Sequence, residues 1–242
     1  MAVSDLFLVV FSFLSSVLSG VTGVGGGMLL ISIMPGFMPI TAVIPVHGIV
    51  QFSSNASRAL FAMRDIDWRV MTSYVLGSVT GAAMGSRLVT AFPSEGLPLL
   101  LAAFILIVTW TPAAQASRKL PGKFFVLGWV QTFLSLFVGA TGPLGPPVLL
   151  REGFRRDRLV ATEAVFMSWV HLLKVLTFGL LGFVFRPYVI LLAAMVGAVI
   201  LGSWVGTLLR PRMPEKIFRV TVRILITGLA VRMVVGVITQ SM

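Results

Sequence analysis

The sequence predicts an all-α integral membrane protein made of two inverted-topology repeats, and three observations carry this prediction. Of 242 residues, 57% are hydrophobic and only 11% are charged, whereas soluble domains carry about a quarter charged residues. Apolar stretches of about 20 residues, enough to cross a bilayer, alternate with short Arg-rich connections. Two Gly-rich interruptions recur at a fixed offset. An ordinary soluble domain is therefore excluded.

Taken in order, the apolar segments divide into uninterrupted spans and two interrupted regions. The predicted spans are residues 40–62, 68–90, 97–113, 158–184, 187–209 and 214–238. Charged residues and prolines separate them, as at Arg186-Pro187. The regions 5–36 and 123–154 are equally apolar but are broken by Gly20–Gly27 and Gly139–Pro147. We call these two breaks tip 1 and tip 2.

The two tips repeat each other at an offset of 119 residues. This offset places Gly20, Thr22, Gly23 and Gly26 on Gly139, Thr141, Gly142 and Gly145. Further along, Gly81 and Gly85 match Gly202 and Gly206 at an offset of 121. The chain therefore reads as a duplication, with repeat 1 at 1–117 and repeat 2 at 118–242. Each repeat is predicted to hold one interrupted hairpin, 5–36 or 123–154, followed by three spans.

The net charge of +11 comes from basic residues in the breaks between apolar segments, which favours membrane topology over nucleic-acid binding. If each interrupted region crossed once, loop Lys and Arg would divide eight against nine. If each folds back, they divide fourteen against three. The positive-inside rule therefore predicts fold-back hairpins, extracytoplasmic termini and cytoplasmic basic loops.

The predicted hairpin arms are short. Leu6–Ser19 would rise about 21 Å and Gly27–Met34 about 12 Å. We therefore expect half-membrane hairpins that enter from opposite sides, with the two tips meeting near the midplane.

Such tips are candidate anion sites. A turn that leads into a short helix leaves backbone N–H groups unpaired, and these bind anions without a buried cation. The predicted substrate-binding residues are Thr22, Gly23, Gly25, Gly26, Gly27, Asn55, Thr141, Gly142, Gly145 and Lys174. The alternative is that glycines only permit close helix packing, which is the role we expect for Gly81, Gly85, Gly202 and Gly206.

Polar residues also occur inside the spans. His47, Gln51, Ser54, Asn55 and Arg58 share one face of the 40–62 helix, and Ser168, His171 and Lys174 share one flank of the partner helix. At the offset of 119, Lys174 occupies the place of Asn55. An intramembrane Lys is functional by default. His47, Gln51, Ser168 and His171 are candidates for proton coupling or for the pathway, with polar packing as the alternative.

A structural role is expected for Glu163. It is predicted to pair with Arg155, Arg156 or Arg158 near the cytoplasmic end of its helix.

No enzymatic chemistry is indicated. The chain has no Cys, no clustered acidic pair, and neither the metalloprotease nor the serine-hydrolase motif. We therefore predict no catalytic residues, no metal and no cofactor. The leading expectation is a secondary carrier for a small anion that works by alternating access. The alternatives are an anion channel and a membrane-embedded enzyme acting on lipid phosphates.

Several of these motifs together resemble a known family. Tip 1, its echo in tip 2, Ser54-Asn55, Asp65-Ile66-Asp67-Trp68 and the 4+4 duplication are similar to the sulfite exporter TauE/SafE family, also called TSUP permeases. In tip 2, Pro143, Pro146 and Pro147 replace Val24, Gly27 and Met28, so the sequence departs there from a strict repeat.

The resemblance implies transport of sulfite, sulfoacetate, thiosulfate or a related organosulfonate across a bacterial or archaeal cytoplasmic membrane. The partners implied are the small anion and the lipid bilayer, with no nucleic acid. A homodimer is left open.

Overall fold

The computed structural model describes residues 3–89 and 122–240, and within these ranges the regular structure is helical, without strands. The helices are α1 Val3–Thr22, α2 Gly26–Ile33, α3 Ile40–Phe61, α4 Met71–Leu88, α5 Lys123–Val138, α6 Gly145–Arg151, α7 Arg156–Leu180, α8 Val189–Leu209 and α9 Glu215–Gln240. The predicted span 97–113 and the predicted boundary between residues 117 and 118 lie outside the described residues.

Three described segments are long and apolar enough to cross a membrane: Asp5–Thr22, Arg156–Leu180 and Arg186–Arg212. This confirms an all-α, multi-pass membrane protein. The five predicted spans that fall in the described residues coincide with α3, α4, α7, α8 and α9 to within a few residues. Large apolar side chains such as Leu180 and Ile190 are exposed on the outer surface, as expected for residues that face lipid.

The first arm of the first interrupted region is longer than predicted. α1 has 20 residues, a rise of about 30 Å, so the expected half-membrane arm ending at Ser19 was too short. Gly20 does not end α1, because it lies within the helix, where its Cα meets Gly206 of α8. The other arms are short, with 8 residues in α2, 16 in α5 and 7 in α6.

Small residues set the closest helix contacts. α1 packs on α8, α4 packs on α5, and α3 packs on both α7 and α8. A Cβ atom at Gly20 would lie 2.8 Å from the Gly206 Cα, and one at Gly81 would lie 3.0 Å from the Trp129 Cα. Gly202 and Gly85 make similar close contacts with α1 and α5. The packing role predicted for Gly81, Gly85, Gly202 and Gly206 is confirmed.

A serine junction joins three helices at the centre of the protein. Ser16 of α1 shares hydrogen bonds of 2.8 Å with Ser54 of α3 and 2.9 Å with Ser203 of α8. Ser203 also donates to the Ser54 carbonyl at 2.8 Å. Because polar groups in an apolar surrounding need partners, this junction fixes α1 and α8 against α3.

Replacement of Gly81 by Ala is expected to destabilise the contact between α4 and α5. The added methyl group would overlap the Trp129 carbonyl oxygen, and overpacking of this kind costs about 1–3 kcal/mol. Thermal unfolding of the purified protein in detergent measures the effect. Gly197→Ala is the matched control, because no atom of the described part of the chain lies within 4 Å of its Cβ position. Equal unfolding temperatures for the two variants would contradict the packing role of Gly81.

Candidate functional site

Tip 1 is a turn closed by its own polar groups. Its turn residues Gly23 and Gly25 have φ angles of 77° and 97°, which only glycine adopts without strain. The Thr22 hydroxyl lies 2.8 Å from the carbonyl oxygens of Leu18 and Val24, and the Gly26 N–H donates to Ser19 Oγ at 3.0 Å. The predicted hydroxyl donor Thr22 thus holds the turn in this conformation.

The tip 1 glycines are in contact with three different helices. A Cβ at Gly26 would overlap the Ser15 carbonyl of α1, whereas at Gly23 it would lie 3.0 Å from Val160 of α7. At Gly27 it would lie 3.1 Å from the Gln51 amide oxygen of α3. The predicted residues Gly23, Gly26 and Gly27 therefore let tip 1 sit between α1, α3 and α7.

Two ionisable residues of α3 hold tip 1 from either side. His47 Nε2 lies 2.8 Å from the Gly27 carbonyl oxygen at the start of α2. Arg58 donates at 3.1 Å to the Ser19 carbonyl near the end of α1, and at 3.1 Å to Asn55 Oδ1. His47 and Arg58 are eleven residues apart, about three helical turns, so both face the tip.

Tip 2 is anchored by Gln131 of α5. The Thr141 hydroxyl donates to the Gln131 carbonyl at 2.9 Å, and Gln131 Nε2 lies 3.3 Å from the Thr141 carbonyl. The Tyr74 hydroxyl of α4 donates to Gln131 Oε1 at 2.6 Å. The predicted donor Thr141 therefore bonds to backbone, as Thr22 does.

Two ionisable residues of α7 hold tip 2 from either side. Lys174 Nζ donates at 2.6 Å to the carbonyl of Gly139, the residue that ends α5. The Glu163 carboxylate lies on Gly145 at the start of α6, where a Cβ atom would overlap both of its oxygens. Glu163 and Lys174 are also eleven residues apart.

The α3 and α7 contacts have the same order. The earlier residue, His47 or Glu163, meets the helix that follows its tip. The later residue, Arg58 or Lys174, binds a carbonyl at the end of the helix that precedes its tip. In these contacts the counterpart of Lys174 is Arg58, whereas the offset of 119 had paired Lys174 with Asn55.

The lysine cluster, made of His47, His171 and Lys174, connects the two tips. Lys174 Nζ lies 3.4 Å from His47 Nδ1, and the two imidazole ring centroids are 5.6 Å apart. A lysine ammonium only donates, so His47 Nδ1 accepts and its Nε2–H donates to Gly27. A chain of hydrogen bonds thus runs from Gly27 in tip 1 through His47 and Lys174 to Gly139 in tip 2.

Lys174 and Arg58 are buried without a carboxylate partner. Their side chains belong to residues 0% and 1% exposed. Ion pairs in the described residues join Lys123 with Glu152, Arg156 and Arg210 with Asp157, and Arg158 with Asp67. The buried cations instead meet backbone carbonyls at helix ends, where the helix dipole is negative.

Glu163 does not make the predicted pair with Arg155, Arg156 or Arg158. It is buried, and its Oε1 lies 3.4 Å from Gln131 Nε2. Among the described residues, the buried side-chain atoms without a hydrogen-bond partner include Glu163 Oε2 and Arg58 Nε, which carry opposite charges. Two buried cations, Arg58 and Lys174, and one carboxylate, Glu163, thus lie beside the tips. Their net positive charge favours an anion.

The structure brings Gly27, His47, His171 and Lys174 together, with Gln51 beside Gly27. Gly142 lies instead against Met167 of α7, and Asn55 lies beside Arg58. Asn55 also donates to the Gln51 carbonyl at 2.7 Å. Ser168 donates to the Ala164 carbonyl of its own helix at 2.7 Å and is not part of the lysine cluster.

Sequence reasoning gave no role in the site to four of its residues. It placed Arg58 on the helix face of His47 but counted its charge with the basic residues of the loops, and it expected Glu163 to pair with a nearby Arg. Tyr74 and Gln131 had no assigned role. A signal was present for Glu163, because it stands alone inside the apolar run Leu159–Phe166. Tyr74 and Gln131 lie in different halves and carry no such pattern.

Comparisons with known proteins give a family match and a curated relative. The family model described as "Sulfite exporter TauE/SafE" matches residues 8–233. A protein of Cupriavidus necator described as "Probable sulfite/organosulfonate exporter TauE" is 30% identical over 140 residues. That match covers 54% of this chain and 54% of the relative, so it spans about half of each protein. No solved structure gives a significant match.

The matched range includes both tips and the helices α3 and α7. Because it covers most of the chain, the family is established by more than the resemblance of single motifs. The chain therefore belongs to the sulfite exporter TauE/SafE family, a family of membrane transporters.

Proposed function

We propose that this protein is a secondary carrier that exports a small sulfur-containing anion, such as sulfite, sulfoacetate or another organosulfonate. The observation that carries the proposal is the burial of Lys174 and Arg58 beside the tips, each bonded to a backbone carbonyl and neither in an ion pair within the described chain. An anion is the ligand that supplies the missing counter-charge.

In this proposal the substrate binds between the tips. Lys174 releases the Gly139 carbonyl or shares its N–H groups with the anion, and Asn55 and the backbone amides of Gly25 and Gly27 complete the site, whereas the Gly26 amide is occupied by Ser19. Glycine in tip 1 allows an anion to approach the amides closely. Thr22 and Thr141 keep the two turns in shape, so we assign them to positioning of the tip amides.

The proposed architecture is a pair of inverted repeats with the site near the membrane midplane. Three features support it. The tips repeat at an offset of 119, and α3 and α7 make matching contacts. The first helix of each proposed repeat also packs on a helix of the other repeat, α1 on α8 and α5 on α4. Rocking of one repeat against the other would then expose the site alternately to each side.

The proposed location is the bacterial cytoplasmic membrane, with both termini extracytoplasmic. The distribution of Lys and Arg supports this orientation. An inside-negative potential favours exit of net negative charge by about 2.3 kcal/mol per charge per 100 mV. Export is also what the description of the Cupriavidus necator relative states for that protein.

Replacement of Lys174 by Met is expected to weaken anion binding about 30-fold or more, because removing one member of a buried charge pair costs at least about 2 kcal/mol. Isothermal titration of the purified protein with sulfite, sulfoacetate, thiosulfate and sulfate measures this loss and identifies the preferred anion. Lys123→Met is the control, since Lys123 lies at a helix start and pairs with Glu152.

Counterflow in proteoliposomes then distinguishes the carrier from a channel, since only a carrier exchanges labelled anion against an opposing load. If no anion binds the wild type, or if Lys174→Met binds like the wild type, the proposed site is wrong.

The proposed orientation predicts opposite labelling of two exposed loop positions. Met63, after α3, is 53% exposed, and Val184, after α7, is 64% exposed. The chain has no Cys, so single Met63→Cys and Val184→Cys variants need no prior removal of thiols. In intact cells an impermeant maleimide is expected to label Val184→Cys only. Labelling of Met63→Cys alone would reverse the orientation.

A further inference from the structure

Glu163 is a buried carboxylic acid at tip 2 that has no ion-pair partner among residues 3–89 and 122–240. Its side chain is 0% exposed, its Oε1 has one distant contact with Gln131 Nε2 at 3.4 Å, and its Oε2 has no hydrogen-bond partner. Helix packing does not require a carboxylate there, since Gly145 beneath it makes room for this group. A bare carboxylate is costly in such a place, whereas a protonated one is tolerated.

The groups around Glu163 come from several helices. α3 contributes Arg58, whose charge acts on the carboxylate, and α4 contributes the Tyr74 hydroxyl, which reaches it through Gln131. α5 contributes the neutral amide of Gln131, and α6 contributes the Gly145 backbone. Arg58 is therefore a cation near enough for its charge to act on Glu163.

The positive charge of Arg58 can be balanced either by the Glu163 carboxylate or by a bound anion. Its Nη atoms bond to Ser19 and Asn55, and its Nε has no partner. When Glu163 is ionised, the Arg58 charge is partly balanced by the carboxylate. When Glu163 holds a proton, that balance is lost, and a bound anion restores it. Proton binding and anion binding therefore favour each other, and linkage makes the effect reciprocal.

We propose that Glu163 is the proton-binding site that couples transport to protons, so that each anion binds together with one proton. This inference rests on the proposed anion transport. The proton comes from water, attaches to a Glu163 carboxylate oxygen, and leaves to water again when the anion is released on the other side. A monoanion then crosses without net charge, and a dianion crosses with one net negative charge, so the inside-negative potential assists the exit of the dianion only.

The test measures proton uptake when thiosulfate binds to the purified full-length protein. Thiosulfate is chosen because its own charge does not change over roughly pH 5 to 8, the range in which histidines titrate. Titration in two buffers of different ionisation enthalpy gives the number of protons taken up. For the wild type we expect up to about one proton per anion, the limit for a single titrating group.

The affinity of the wild type for thiosulfate is expected to rise as the pH falls, on the order of tenfold, because protonation removes the competing carboxylate charge. Glu163→Gln mimics the protonated acid. It is expected to bind thiosulfate without proton uptake and with an affinity that no longer varies with pH. Glu152→Gln makes the same chemical change in the ion pair with Lys123 and is expected to behave like the wild type.

A second variant keeps the test informative if Glu163→Gln does not fold. Gly145→Ala retains the acid but displaces it, because the methyl group would occupy the carboxylate position. It is expected to change the pH dependence of binding.

Thiosulfate binding by the wild type without proton uptake would overturn the inference while leaving anion transport in place. Full uptake by Glu163→Gln would also overturn it, and would move the proton to His47, His171 or Lys174. If the wild type binds no anion at all, the proposed function fails and this inference fails with it.

Discussion

The structure depends on how two cations are buried inside a membrane protein without salt bridges. Lys174 donates to Gly139 and Arg58 donates to Ser19. Both carbonyls lie at or near the C-terminal end of a helix that precedes a tip, where the helix dipole is negative. Because backbone carbonyls are weaker partners than a carboxylate, each cation is held in place yet remains available to an anion.

That constraint explains why the tips are rich in glycine. Gly23 and Gly25 make the turn that exposes the helix ends, and irregular backbone inside a membrane protein is tolerated only when it is enclosed by protein. Other glycines provide room for a particular neighbour, such as Gly27 for Gln51 and Gly145 for Glu163. The tips thus combine a turn with several close contacts to the surrounding helices.

The sequence predicted the parts of this design that have a periodic or repeated signal. Spans such as 40–62 and 187–209 follow from apolar length, and the helix face with His47, Asn55 and Arg58 follows from spacing. The end of α1 could not be predicted, because Gly20 inside a helix and Gly23 in a turn look alike in sequence. Only the contact with Gly206 separates them.

Charge counting failed at single residues for a related reason. Arg58 and Glu163 each lie within two helical turns of a span end, where most charged side chains reach the interface. Their burial depends on partners from other elements, namely Ser19 for Arg58 and Gly145 with Gln131 for Glu163. A count of charges along the chain contains no information about such partners.

The eleven-residue spacing on α3 and α7 has a consequence for how this chain tolerates changes in length. The tips correspond at an offset of 119, whereas His47 with Glu163 and Arg58 with Lys174 correspond at 116. The connection between the tip and its long helix is therefore three residues shorter in the second half of the chain than in the first, and the contacts follow the same order. An insertion of one residue between 47 and 58, or between 163 and 174, would instead rotate one anchor by about 100° relative to the other. Relatives of this protein should accordingly differ in length only in the connections between the tips and the long helices. An alignment gap between 47 and 58, or between 163 and 174, would indicate a chain with different contacts around its tips.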